Sequence, residues 1–158
     1  MELEGLGTVF LGAPEMLLDQ EVKEARAGLE RGSRVLVLAL SQEKLDHAKP
    51  QKPSDIQALA LLEILDPIRE GAAETLGYLR SQEVGLKIIS GDNPVTVSSI
   101  AQKAGFADYE SYVDCSKIND EELITMAEET AIFGRVSPHQ KKLIIQTLKK
   151  AGHTTAMT

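Results

Sequence analysis

Two textures alternate along this chain: short apolar runs, and longer stretches in which apolar residues recur every three or four positions. Thr8 to Leu11 (TVFL) is the first short run and predicts a strand; GAPEMLL follows as a turn and a helical start, with Pro14 suited to a first turn. In DQEVKEARAGLERG, Val22, Ala25 and Leu29 share a helical face, Asp19 is available as a cap and Gly32 as a stop. SRVLVLAL is continuously apolar, which predicts a strand buried on both faces. Residues 41–55, SQEKLDHAKPQKPSD, are polar and carry two Lys-Pro steps that disfavour helix, so an exposed loop is expected there.

The second half is more regular. IQALALLEILD predicts a buried strand, IREGAAETLGYLRSQE an amphipathic helix, VGLKIIS a strand, PVTVSSIAQKAG a helix, and SYVDCS a short strand. NDEELITMAEETA predicts a helix capped by Asn119, IFGRV a strand, and SPHQKKLIIQTLKKAG a helix with Ser137 as cap and Pro138 in its first position. HTTAMT reads as the start of another strand. Strand and helix alternating through short connections predict an α/β fold, a parallel sheet with helices on both faces whose ligands sit at the carboxyl ends of the strands.

Composition narrows the function. With 42% hydrophobic and 26% charged residues the chain is an ordinary folding sequence, and no apolar run approaches the ~20 residues of a membrane helix. Lys+Arg 17 against Asp+Glu 24 gives a net charge of −7, and the basic residues are scattered, which argues against a nucleic-acid partner. The lone Cys115 excludes an intrachain disulfide and fits a reducing compartment; His47, His139 and His153 are too scattered to form a metal set with it. The opening MELEGLGTVFL lacks the basic region and long apolar stretch of a secretory signal.

On a parallel sheet, the loops after the strands place Asp66, then Ser90, Gly91 and Asp92, then Arg135 and Lys141 near one rim. A hydroxyl and a glycine amide at a helix entry can donate to phosphoryl oxygens, the helix N-terminus adds partial positive charge, and a lysine in the next helix neutralises developing negative charge. Each motif also has a plain reading. Ser-Gly-Asp-Asn-Pro is good turn chemistry, Asp-Pro-Ile-Arg is a proline-opened helix with Arg69 in solvent, and Lys141 with Lys142 is a solvated basic face. His139 reads as a surface residue of a first turn and Cys115 as a small apolar filler.

Taken in order, FLGAPEMLL, SRVLVLAL, ILDPIRE, IISGDNPVTVSSIAQKAGF, IFGRVSPHQKKLIIQTLKKAGH and TAMT resemble successive motifs of the cytoplasmic part of P-type cation-transporting ATPases. The resemblance covers nearly the whole chain. It implies that residues 1–63 are a small α+β lobe, the C-terminal part of a nucleotide-binding domain, and that residues 64–158 are an incomplete haloacid-dehalogenase-like phosphorylation domain. In the family's pattern, Arg34 contacts a nucleotide phosphate, Ser90 hydrogen-bonds the phosphoryl group, and Gly91 and Asp92 complete that loop beside the nucleotide. Arg135 matches a nucleotide-contacting arginine, Lys141 the lysine that stabilises the acyl phosphate, and Asp66 and Arg69 the hinge between the two domains. The implied parent is a membrane pump whose cytoplasmic side uses ATP and Mg²⁺ to phosphorylate an aspartate and drive a cation, calcium among the ions such bacterial pumps move.

The departures are informative. Leu11 stands where the family carries an adenine-pocket lysine, so nucleotide affinity or orientation is expected to differ. The 158 residues contain neither Asp-Lys-Thr-Gly-Thr, with the nucleophilic aspartate, nor Gly-Asp-Gly-Val-Asn-Asp, with the Mg²⁺-binding carboxylates, so this piece alone is expected to be catalytically silent. Without the nucleophile-bearing strand, sheet edges would be left open, calling for homodimerisation, strand swapping or marginal stability, with the parent's remaining domains as natural partners. Two rival readings are a free-standing haloacid-dehalogenase phosphatase, which requires an Asp-x-Asp loop upstream of Ser90 that this sequence lacks, and a non-catalytic nucleotide-binding module.

Overall fold

The computed structural model describes residues 2–3, 7–20, 22–43 and 52–157, and the chain divides into two compact units, residues 1–66 and 67–158. The first is an antiparallel sheet in the order β1 (Glu2–Leu3), β2 (Gly7–Gly12), β3 (Arg34–Ser41) and β4 (Gln57–Ile64). Helices α1 (Pro14–Leu17) and α2 (Lys23–Glu30) pack against β3. The pattern along β3 alternates: Val35, Val37, Ala39 and Ser41 are buried while Leu36, Leu38 and Leu40 are half-buried. The expectation of burial on both faces is therefore corrected. Helix α2 lies on the Val35 face, with Gly28 so close that a Cβ would come 2.6 Å from the Val35 Cγ2.

A second correction concerns IQALALLEILD, expected to be buried. It does form a strand, β4, but an edge strand on which every residue except the half-buried Leu61 is exposed. Leucine-rich runs mark a strand without telling whether anything lies on it. Of the polar stretch 41–55, residues 44–51 lie outside the described residues; its flanks are tied down rather than fully exposed, with Pro53 buried and the Asp55 carboxylate accepting from the Ser41 hydroxyl.

The second unit carries helix α3 (Ala72–Ser81) and a parallel sheet of β5 (Ile88–Ile89), β6 (Tyr112–Asp114) and β7 (Ile132–Gly134), with β7 in the centre. Between and after the strands run α4 (Pro94–Lys103), α5 (Asp120–Met126) and α6 (Pro138–Lys150). Successive side chains of a strand point to opposite faces, and β7 shows it. Ile132 packs with Val97, Ala101 and Phe106 in one core, whereas Phe133 packs with Leu123, Ile144 and Leu148 in another. The layered α/β architecture expected from the alternation of elements is thus present, a parallel sheet sandwiched between helices.

Local chemistry explains the helix ends. Asn119 and Ser137 each accept from the backbone N–H three residues on, while Glu122 and Gln140 reach back to the cap N–H; both are capping boxes. The strand expected at HTTAMT is absent from its described residues, 153–157, and VGLKIIS contracts to two strand residues. No described helix is long and apolar enough to cross a membrane.

Candidate functional site

The carboxyl ends of β5 and β7 build one connected structure. Ser90 N–H donates to Phe133 C=O (2.9 Å), continuing the ladder beyond β5. The chain then turns through Gly91 and Asp92, and Asn93 caps α4 by accepting from Val95 N–H (3.0 Å). Two further bonds join this loop to the one leaving β7: Arg135 N–H donates to Asp92 C=O (2.8 Å) and Val136 N–H to Ser90 C=O (3.0 Å). Gly134 permits the contact, because a Cβ there would lie 2.6 Å from Pro94.

Within the loop, Asp92 N–H donates to Ser90 Oγ (3.1 Å), and the hydroxyl faces Asp92 Oδ2 at 3.4 Å, a long bond that a better acceptor could replace. The Gly91 N–H has no acceptor among the described residues. Nothing lies within 4 Å of where a Gly91 Cβ would be, so the space beside the loop is open. A hydroxyl, a backbone N–H and the start of a ten-residue helix thus follow one another in a loop bordered by open space, a donor set suited to phosphoryl oxygens. Lys141 sits exposed in the first turn of α6 and makes no ion pair among the described residues.

Arg135 is held differently. Its backbone adopts φ +52°, left-handed and uncommon for a residue with a Cβ. Its Nη1 donates to Asp114 Oδ2 at 2.9 Å, with the two side chains only 24% and 14% exposed. Asp114 Oδ1 accepts from the Ser116 hydroxyl (2.6 Å) and N–H (3.1 Å), and Lys117 Nζ stands 3.8 Å from Oδ2. Burial pushes the Asp114 carboxyl up, but the Ser116 hydrogen bonds and the Arg135 and Lys117 charges outweigh it, so the group titrates below its ordinary value. Next to it the Cys115 thiol is pushed up to about 11 by burial and by the Asp114 charge, which leaves it protonated and inert. Cys115 packs in the Phe133 core, and exposed His139 pairs with Asp120 at 2.9 Å.

The structure therefore brings together Ser90, Gly91, Asp92 and Arg135, with Lys141 on the helix that follows. Asp66 departs from the expectation of a strand end in the parallel sheet. Asp66 follows β4, which pairs antiparallel with β3 in the first unit, so it does not terminate a strand of the parallel sheet. Arg34 is the exposed first residue of β3, in that same unit, and Arg69 is exposed at the start of the second. Asp114, Gly134 and Gln140, whose Nε2 donates to Cys115 C=O (2.8 Å), escape a reading of the sequence. Their roles depend on which strands become neighbours. Among the described residues, no group of three or more His, Cys, Asp or Glu could hold a metal ion. These residues do not build a Mg²⁺ site.

Comparison with known proteins adds the family. The family model for haloacid dehalogenase-like hydrolases matches residues 5–158. The chain is 94% identical over all of its 158 residues to 20% of a probable cation-transporting ATPase, exp7, of Streptococcus pneumoniae. It is 37% identical over 155 residues to the calcium-transporting ATPase CtpE of Mycobacterium tuberculosis, covering 96% of this chain and 19% of that protein. It is 32% identical over 132 residues to a P-type magnesium-transporting ATPase of Salmonella typhimurium, covering 78% of this chain and 14% of that one. The chain spans about a fifth or less of the length of these curated relatives. The resemblance to cation-transporting ATPases seen in the ordered motifs is borne out.

Proposed function

The chain belongs to the haloacid dehalogenase-like hydrolases, and from that premise we propose that it is part of the ATP-using machinery of a P-type cation-transporting ATPase. Residues 1–63 act as the end of a nucleotide-binding domain and residues 64–158 as part of a phosphorylation domain, with Asp66 and Arg69 as their hinge. The observation that most supports this reading is the stitched loop pair, in which Ser90 and Asp92 are hydrogen-bonded through their carbonyls to Val136 and Arg135. Ser90 donates its hydroxyl and Gly91 its N–H to the phosphate, Asp92 and Arg135 border the nucleotide, and Lys141 balances phosphate charge from the first turn of α6. Arg34 contributes a nucleotide contact from the first unit, a role that rests on its match to the family's motif. Mg²⁺ would come with the nucleotide in the parent; the described residues do not build its site.

The transported cation is proposed to be calcium. The CtpE relatives, named for calcium, are 37% to 38% identical to this chain, against 28% to 32% for those named for magnesium and 32% for a plant relative also named for calcium. The parent sits in a membrane with this segment on its cytoplasmic side. Residues 1–158 by themselves are proposed to bind ATP without hydrolysing it, since they contain no Asp-Lys-Thr-Gly-Thr nucleophile. Titrating ATP into the labelled chain should perturb the Gly91 and Arg34 amides; no response at millimolar ATP would sink the binding reading. Hydrolysis above background that disappears in Lys141→Ala would refute the claim of inactivity.

A further inference from the structure

The contacts of Arg135 go beyond its match to a motif. Arginine has no intrinsic liking for left-handed backbone, which crowds its Cβ against the following carbonyl oxygen. Glycine or asparagine would meet the backbone requirement more easily, so an arginine at φ +52° is there for its side chain. That side chain is not left to find its own place. Its Nη1 lies 2.9 Å from Asp114 Oδ2, while the other oxygen of the same carboxylate is held by the Ser116 hydroxyl and N–H. Asp114 is in turn placed by the sheet, being the β6 residue that pairs with Gly134 of β7. The Arg135 backbone is fixed independently, by its N–H on Asp92 C=O. Lys117 is a weak competitor for Asp114, 75% exposed and 3.8 Å away.

We infer that Asp114 is the positioning residue for Arg135: anchored by Ser116, its carboxylate fixes the guanidinium next to the loop that holds phosphate, so nucleotide affinity depends on Asp114 only through Arg135. This rests on the nucleotide-binding reading above, but half of it can be tested without nucleotide.

The experiment uses the ¹⁵N-labelled 158-residue chain as wild type, Asp114→Asn, Arg135→Ala and the double variant. Asparagine keeps the shape and one oxygen for Ser116 while removing the charge. The Arg135 Nε–Hε heteronuclear NOE should be high in the wild type and fall in D114N. ATP titrations followed at the Gly91 amide should show on the order of tenfold weaker binding for D114N, the loss expected from one hydrogen bond between charged groups. R135A should weaken binding similarly, and the double variant no further than R135A. Ser116→Ala, which leaves the charge pair intact, should loosen Nε–Hε part of the way and serves should D114N fail to fold. An unchanged NOE in D114N, or in S116A if D114N does not fold, overturns the inference, as does a D114N penalty of the same size in the R135A background. If the wild type does not respond to ATP, the nucleotide reading falls, and the NOE alone decides whether Asp114 positions Arg135.

Discussion

Replacing Gly134 by alanine tests whether the end of β7 is set by contact with α4. The added Cβ would lie 2.6 Å from the Cα, Cβ and N of Pro94, whereas ordinary van der Waals contact begins near 3.4 Å. The elements must therefore separate by about 0.8 Å, the difference of those two distances. Relief by side-chain rotation is closed, since two of the three atoms are backbone and the third belongs to a proline ring. Gly134 does not have positive φ, so alanine is not strained by its own backbone. Its restriction of the unfolded chain returns about 0.4–1 kcal/mol. Overpacking costs about 1–3 kcal/mol, so the net loss lies between about zero and 2.6 kcal/mol, with about 1–2 kcal/mol at its middle. For a unit of this size that is a fall of roughly 5–15 °C in Tm. Because the chain divides into two units, one melting curve would mix them. Amide hydrogen exchange separates them: β7 amides should lose roughly tenfold in protection, those around Val37 in β3 should not, and the Ser90 to Asp92 amides should shift. Equal protection in β7 together with unshifted loop amides would refute the claim that this contact sets the loop.

Two further outcomes are expected. Ser137→Ala removes the acceptor for Gln140 N–H (3.2 Å) at the start of α6 and should cost about 1 kcal/mol, read by urea unfolding of the Phe133 core; no change would mean that Gln140, held by Cys115 C=O, keeps the helix end by itself. The second concerns acid. The folded Asp114 titrates below its ordinary value of 3.8, so its contribution to stability is complete above the unfolded value and is lost as pH falls through the lower, folded one. The stability difference between wild type and Asp114→Asn should then be flat from about pH 8 to 5 and narrow below about 4, by the same linkage. A gap that stays constant to pH 2 would show that the charge of Asp114 does not contribute.

What could be read from the sequence is what depends on near neighbours in the chain. Asn119 as a cap, and Ser137 as a cap with Pro138 behind it, are signals of one or two residues, and both helices start where those signals place them. The Ser-Gly-Asp-Asn-Pro turn contains its own partners too, since Asp92 N–H meets Ser90 Oγ and Asn93 caps α4. Burial did not follow in the same way. SRVLVLAL and IQALALLEILD look alike as apolar text, yet α1 and α2 pack against β3 while β4 lies at the edge with nearly all its residues exposed. A residue's hydrophobicity records what it could lie against, and the topology decides whether anything is there.

The same distinction explains why the Arg135 environment was hidden. The parallel sheet is ordered β5-β7-β6, so the strand that comes last in the chain lies between the other two. That order puts Ser90, Gly134 and Asp114 at adjacent strand ends, although Asp114 lies 21 positions before its arginine with all of α5 between them. Each end then acts on the next: Ser90 and Asp92 accept from the chain leaving β7, and Asp114 receives the guanidinium that this chain carries. Arg135 is the residue common to both contacts, and its left-handed backbone is what lets one position face two neighbours. Removing the carboxylate should therefore loosen the side chain while the Arg135 to Asp92 backbone bond stays in place. That separation of side-chain order from backbone order is what a merely local ion pair on the surface would not produce.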